Sequence, residues 1–169
     1  MTTIRDSLFS RLEQIFGELK FEYNIEEHGN DPHIGSSLRV LAPIPDSDGQ
    51  LALIEIIFTE LGERMNYLQF YSTIAMKCNQ SKDTLLQAIN EVNFYCPVGY
   101  FGIFSEQGHL YHKYTLVFDD EEDDAEKMAG DALVAFHAIM MLFELRAPVL
   151  LKLALGVIDL ESATSFVKP

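Results

Sequence analysis

The sequence predicts one α+β domain: an N-terminal helix, an antiparallel sheet of five to six strands interrupted by a helix, then a long helix and a short one. Three observations predict it. Apolar residues recur at three- and four-residue steps near the start of the chain and again after residue 124. Between those stripes lie runs alternating with period two, punctuated by Gly, Pro, Asn and Asp. The length, 169 residues with 48% hydrophobic side chains, suffices for a single core and excludes a disordered chain.

Thr3 to Lys20 reads as an amphipathic helix, with Ile4, Leu8, Leu12, Ile15, Phe16 and Leu19 on one stripe. Thr3 caps it, and Asp6, three residues on, completes a capping box. Phe21 to Glu26 alternates as a strand with one wet face. Glu27 to Ser36 is a loop, marked by Gly29-Asn30-Asp31-Pro32 and Gly35. Leu38 to Ala42 is a short strand stopped by Pro43 and Pro45, and Asp46-Ser47-Asp48-Gly49 is a turn. Leu51 to Thr59 is the most strand-like run. Ala52, Ile54, Ile56 and Phe58 share one face; Leu51, Leu53 and Ile57 share the other with Glu55. Both faces are largely apolar, which calls for cover on each side or for a subunit interface. After a turn at Gly62 to Asn66, Tyr67 to Met76 sets Leu68, Phe70, Ile74 and Met76 on one face and Tyr67, Gln69, Tyr71 and Thr73 on the other.

Ser81 caps a second helix reaching Tyr95, with Leu85, Leu86, Ile89 and Val92 inward, and Pro97 and Gly99 close it. Tyr100 to Phe104 and Leu110 to Phe118 form a hairpin around Ser105-Glu106-Gln107-Gly108. The acidic run Asp119 to Asp124 opens a long helix, about Glu122 to Leu145, which Pro148 breaks. Val149 to Leu155 is a last short helix, stopped near Gly156. Residues 159–169 read as a weakly ordered tail, leaving 1–158 as the domain.

Leu85-Leu86 followed by Asn90 and Asn93, then a hairpin, then an acidic lead into a long apolar-striped helix, resembles the YbjN-like family of small bacterial, sensory-transduction-regulator-like proteins. That family shares the fold of type III secretion chaperones. The matching stretch runs from about Leu85 to Leu145; the segment Pro43 to Gly49 and the helix after Pro148 depart from the family pattern. The resemblance implies a helix–strands–helix–hairpin–helix domain, usually a homodimer, that binds other proteins and carries no known catalytic residues.

Lys and Arg number 12 against 26 Asp and Glu, a net charge of −14. Such a chain repels phosphates, which argues against nucleic acid and against an anionic membrane surface. The N-terminus has no continuous apolar segment, and the most apolar stretch, Val149 to Leu155, falls well short of the ~20 residues of a membrane span. Cys78 and Cys96 fit neither a redox pair nor a zinc motif, so a cytoplasmic protein with two free thiols is expected.

No catalytic, cofactor-binding or metal-ligating residue is assigned. The acidic run lacks the Gly and Glu positions of a calcium loop and complements the dipole of its helix instead. Glu27, His28, Asp31 and His33 read as a solvated loop cluster. His109 and His112 point to opposite faces of a strand, and His137 reads as a histidine at the edge of the core. Asn90 and Asn93 read as helix-end hydrogen-bonding groups or as part of a binding surface. The aromatic residues crowding the strands suit a core or a face covered by another chain. The expectation is therefore a non-enzymatic, chaperone- or adaptor-like module that binds a segment of a partner protein as a homodimer, with Ile54, Ile56, Phe58, Tyr67, Tyr71, Asn90 and Asn93 as contact residues. Its rivals are a ligand-sensing regulator and a small enzyme using His28, His33, Cys78 or Cys96.

Overall fold

The computed structural model describes residues 3–28, 36–61, 65–78, 80, 82–104, 106, 108–119 and 124–167. The loop around Asp31 and His33, the expected cap Ser81 and most of the acidic run lie outside the described residues. Four helices and six strands follow one another as α1 (Ile4–Glu18), β1 (Glu22–Glu27), β2 (Ser36–Pro43), β3 (Leu51–Leu61), β4 (Met65–Ala75), α2 (Lys82–Phe94), β5 (Tyr100–Phe104), β6 (His109–Asp119), α3 (Ala125–Ala154) and α4 (Leu160–Val167). The strands form one antiparallel sheet in the order β1-β2-β3-β4-β6-β5, so the α+β prediction holds.

Register sorts the side chains of the sheet into two populations. Paired residues on neighbouring strands share a face, and Val40, Ile54, Ser72, His112 and Phe101 line up across β2, β3, β4, β6 and β5. All five are essentially sealed from solvent. Leu38, Ile56 and Phe70 form the adjacent row. Helix α3 packs on this inner face through Phe136, Ile139 and Phe143, and α1, α2 and α4 pack beside α3. Phe16 of α1, Phe21 and Phe136 meet edge to face at centroid distances of 4.8–6.1 Å.

Local signals account for the helix ends. Thr3 accepts from the Asp6 amide and Asp6 accepts from the Thr3 amide, closing the expected capping box; these bonds also hold the Asp6 carboxyl below its ordinary range. Asp124 caps α3 by accepting from Lys127 N. Gly156, at φ +74°, ends α3: its amide donates to Leu153 and the Val157 amide to Lys152, a Schellman closure.

Four expectations need correction. Pro148 does not break the helix; α3 runs unbroken from Ala125 to Ala154, and the expected short helix is its final turns. The ring removes one backbone donor, but Ala147, Leu150, Leu151 and Leu153 bury their side chains around it, and tertiary packing overrides the local penalty. The tail is ordered as α4: Asp159 caps it, and its Ala163 is buried where α4 meets α2. Met76 does not join the core face. The register shifts between Thr73 and Ala75, turning Ala75 inward and leaving Met76 60% exposed. His137, too, sits exposed on α3 rather than at the edge of the core.

The sidedness of β4 makes a stability prediction. Phe70→Ala, which empties the inner face, is expected to cost about 3–5 kcal/mol. Gln69→Ala, one residue away on the opposite face, is expected to stay within about 0.5 kcal/mol. Urea unfolding midpoints of the two variants check the contrast.

Candidate protein-binding surface

The same register defines the outer face. Leu41, Leu53, Thr73, Tyr111 and Gly102 form one row, and Arg39, Glu55, Tyr71, Lys113 and Tyr100 the next. Among the described residues, no helix or strand of the chain crosses this face; all helix–helix and helix–sheet packing lies on the inner side. Its β3 residues Leu53 and Ile57 are half-buried.

Four aromatic rings gather where β4, β5 and β6 meet. Tyr71 stacks on Tyr111 with centroids 5.1 Å apart and planes at 28°. Phe104 lies 4.9 Å from Tyr111 and 5.9 Å from Tyr71, and Tyr100 meets Tyr111 edge-on at 6.4 Å. Gly102 makes this cluster possible. A Cβ there would collide with the Tyr111 ring, which lies across the glycine on the edge strand. Burial, and after it the charges of Tyr111, Glu55 and Tyr100, pushes the Tyr71 hydroxyl far above its ordinary value; burial and Tyr100 raise Tyr111 as well. Both phenols therefore stay protonated and offer O–H donors beside their ring faces. Farther across the face, Arg39 bridges Glu55 at 2.7 Å and Glu26 at 3.2 Å.

The expected contact residues divide. Tyr67 and Tyr71 stand on the outer face, half-buried. Ile54, Ile56 and Phe58 do not belong to a contact surface: they are 0, 0 and 2% exposed, roofed by the chain's own helices. The strand has two apolar faces because one is the core and the other is open, and the sequence pattern is identical for both. Asn93 is a structural clamp. Its amide donates to Phe101 O at 2.9 Å and accepts from Phe101 N at 2.7 Å, pairing the end of α2 with β5. Asn90 is exposed and lines a groove of about 640 Å³ between α2 and α4, away from the sheet.

Sequence reasoning missed Tyr100, Phe104 and Tyr111 as a unit, because they come together only through the β4-β6-β5 order. It also missed the role of His112. This imidazole is fully buried, and its Nε2 lies 2.9 Å from Val98 O. A carbonyl only accepts, so Nε2 carries a proton there, and it is burial that disfavours a second proton on the ring. Cys96 Sγ donates to the same carbonyl at 3.2 Å. Thiol and imidazole thus converge on one oxygen, with no lone pair of the ring turned toward the sulfur. Burial raises both the Cys96 and Cys78 thiols, the reverse of an activated nucleophile. A Cβ on Gly99, at φ +66°, would strike Lys113 O and the His112 ring, so this elbow between α2 and β5 demands glycine.

His28 Nε2 pairs with Ser37 Oγ at 2.8 Å. Among the described residues, no three His, Cys, Asp or Glu side chains stand close enough to hold a metal ion. No protein-family model matches the chain, and no curated protein matches it in sequence.

Burial holds the His112 pKa below its ordinary 6.5, against the opposing pull of the Val98 carbonyl. Above pH 6.5 folded and unfolded chains are both neutral at this residue. Below it the unfolded chain takes up a proton that the folded one refuses, so stability falls as the pH drops. The urea midpoint of wild type is expected to decrease from pH 7.5 to 5.5 by more than that of His112→Asn, the difference isolating this ring from other titrating groups.

Proposed function

We propose that the chain is a non-enzymatic, chaperone- or adaptor-like protein-binding module, a homodimer in the cytoplasm, whose open sheet face holds a segment of a partner protein. One observation carries this reading: among the described residues, α1, α2 and α3 pack on one side of the sheet with α4 against α2 and α3, and the other side presents Tyr71, Tyr100, Phe104 and Tyr111 as a preassembled aromatic surface. Aromatic residues with a polar handle are the groups that anchor protein interfaces, since they contribute large contact area at low entropic cost. The excess of 26 carboxylates over 12 cationic groups selects for partners bearing Lys or Arg, whose charge also suits the faces of the rings. The YbjN-like resemblance supports the same reading, because it implies protein binding by a domain of this element order.

The test is affinity purification from the native cell with three baits: wild type, Tyr100→Ser/Phe104→Ser, and Asn90→Ala. Both replaced aromatics are nearly half exposed, at 45 and 46%, so the fold tolerates their loss. Partners retained by wild type are expected to fall at least about tenfold with the aromatic variant, equivalent to ~1.4 kcal/mol, and to persist with Asn90→Ala. Equal retention by all three baits removes the sheet face from the function.

A ligand-sensing role is the second reading. It draws on a cavity of about 570 Å³ at one end of the sheet, bordered by Gln50, Leu53, Thr73, Met76, His109 and Leu155. A small-molecule library screened by thermal shift checks it; a ligand bound here is expected to raise the Tm, and Leu53→Arg to abolish the rise.

A further inference from the structure

Helix α3 carries a second apolar surface, exposed at Val134, Met141 and Leu145 and bordered at its Leu145–Lys152 end by Asp46, Ile158 and Phe166. Val134, Met141 and Leu145 are 69, 65 and 66% exposed. With half-buried Ala138 and Val149 they follow one another at three- and four-residue steps, a single stripe along the helix. The stripe lies opposite the side that packs on the sheet through Phe136, Ile139 and Phe143. The sheet accounts for only one side of α3, yet apolar residues also stand on the other side, among the exposed polar groups Asp131, His137 and Glu144, and the helix is long and apolar enough to cross a membrane.

The order of residues along the stripe is self-complementary. Place a second α3 antiparallel to the first, with a twofold axis beside the peptide joining Met141 and Leu142. Ala138 then faces Leu145 of the partner subunit, small against large. Val134 faces Val149 of the partner subunit, and Asp131 faces Lys152 of the partner subunit. Each pair is symmetrically placed about the axis, so every contact occurs twice, as an isologous dimer requires. The axial contact is Met141, a side chain that adapts to its neighbour. Charge agrees with this arrangement. The molecule as a whole carries −14, which sets two copies repelling. Along the stripe Lys127 and Lys152 outnumber Asp131, and Asp131 of one copy stands opposite Lys152 of the other, so opposite charges meet across the axis. Within one chain Asp131 meets Lys127 at 3.3 Å in an exposed pair, which leaves its second oxygen for Lys152 of the partner subunit.

We infer that the Val134–Ala138–Met141–Leu145 stripe of α3 is the surface through which two copies of this chain pair, antiparallel and about a twofold axis at Met141. The inference deepens the homodimer part of the function proposed above and rests on that reading; it places the dimer contact on the helical side and leaves the aromatic sheet face of each copy free for a partner.

Light scattering at tens of micromolar protein tests it. Wild type is expected at twice 19.2 kDa, and Leu145→Asp at 19.2 kDa with an unchanged circular dichroism spectrum. Asp131→Lys and Lys152→Asp, each placing like charges across the axis, are expected to weaken pairing at least tenfold. The double exchange Asp131→Lys/Lys152→Asp is expected to restore it, which a folding defect cannot do. A wild-type monomer, a dimer indifferent to Leu145→Asp, or a double exchange no better than the singles overturns the inference. So does a monomeric wild type that sediments with phosphatidylcholine vesicles in a Leu145-dependent way, which assigns the stripe to a bilayer. Partner capture by monomeric Leu145→Asp reports on the sheet face separately: loss of pairing with capture intact leaves the protein-binding reading standing.

Discussion

The packing of α3 on the inner face of β3 and β4 is the interaction on which the rest of the molecule depends. Ile54, Ile56, Phe70 and Ile139 have no solvent contact to speak of, and the helix brings Phe136 and Phe143 onto the same layer. Because residues alternate strictly along a strand, committing one set of side chains to α3 commits the other set to the opposite side. Helices α1, α2 and α4 then find their apolar partners beside α3 and not across the sheet. The open face is thus a consequence of where the helices can bury their stripes, and its character is decided by what β3, β4, β5 and β6 place at the alternate positions.

Those positions hold a different chemistry from the core. The inner rows are mostly aliphatic and phenylalanine-rich; their polar members include Asn66, Tyr114, and Ser72 and His112, which pair directly across β4 and β6. The outer rows carry tyrosines, threonines and the Glu26–Arg39–Glu55 ion-pair chain. Tyrosine tolerates both states of a surface, hydrated when free and desolvated when covered, because its hydroxyl keeps a partner either way. An all-leucine outer face would offer no basis for selection; this one presents hydroxyl donors, ring faces and flanking carboxylates.

Most of the architecture is legible in the chain because local chemistry and tertiary packing agree. The Thr3–Asp6 capping box, the alternation in β3 and β4, and the Gly156 stop are local signals, and each element appears where its signal stands. Three readings fail where the deciding contact is distant in sequence. Pro148 is a helix breaker in isolation but sits in a helix whose neighbours are all buried. The segment after Asp159 carries too little apolar surface to order alone and is ordered by α2. Ile54, Ile56 and Phe58 look the same as Leu51, Leu53 and Ile57 by pattern, and only the placement of α3 separates core from surface. The candidate site was half legible for the same reason: Tyr67 and Tyr71 follow from period two, whereas Tyr100, Phe104 and Tyr111 need the strand order.

The clamp at Asn93 carries a kinetic and entropic consequence for whatever meets the aromatic face. β5 is an edge strand of five residues, held on one side by β6, and it contributes Tyr100 and Phe104. An edge that short frays on its own, and its rings would then have to be frozen anew at each encounter. The Asn93 amide grips the Phe101 peptide from the other flank, while His112 and Gly99 fix the elbow just before it. A side chain at the end of a helix thereby keeps a remote set of rings in one arrangement, so the cost of ordering them is met during folding, before any ligand the proposed function would bring.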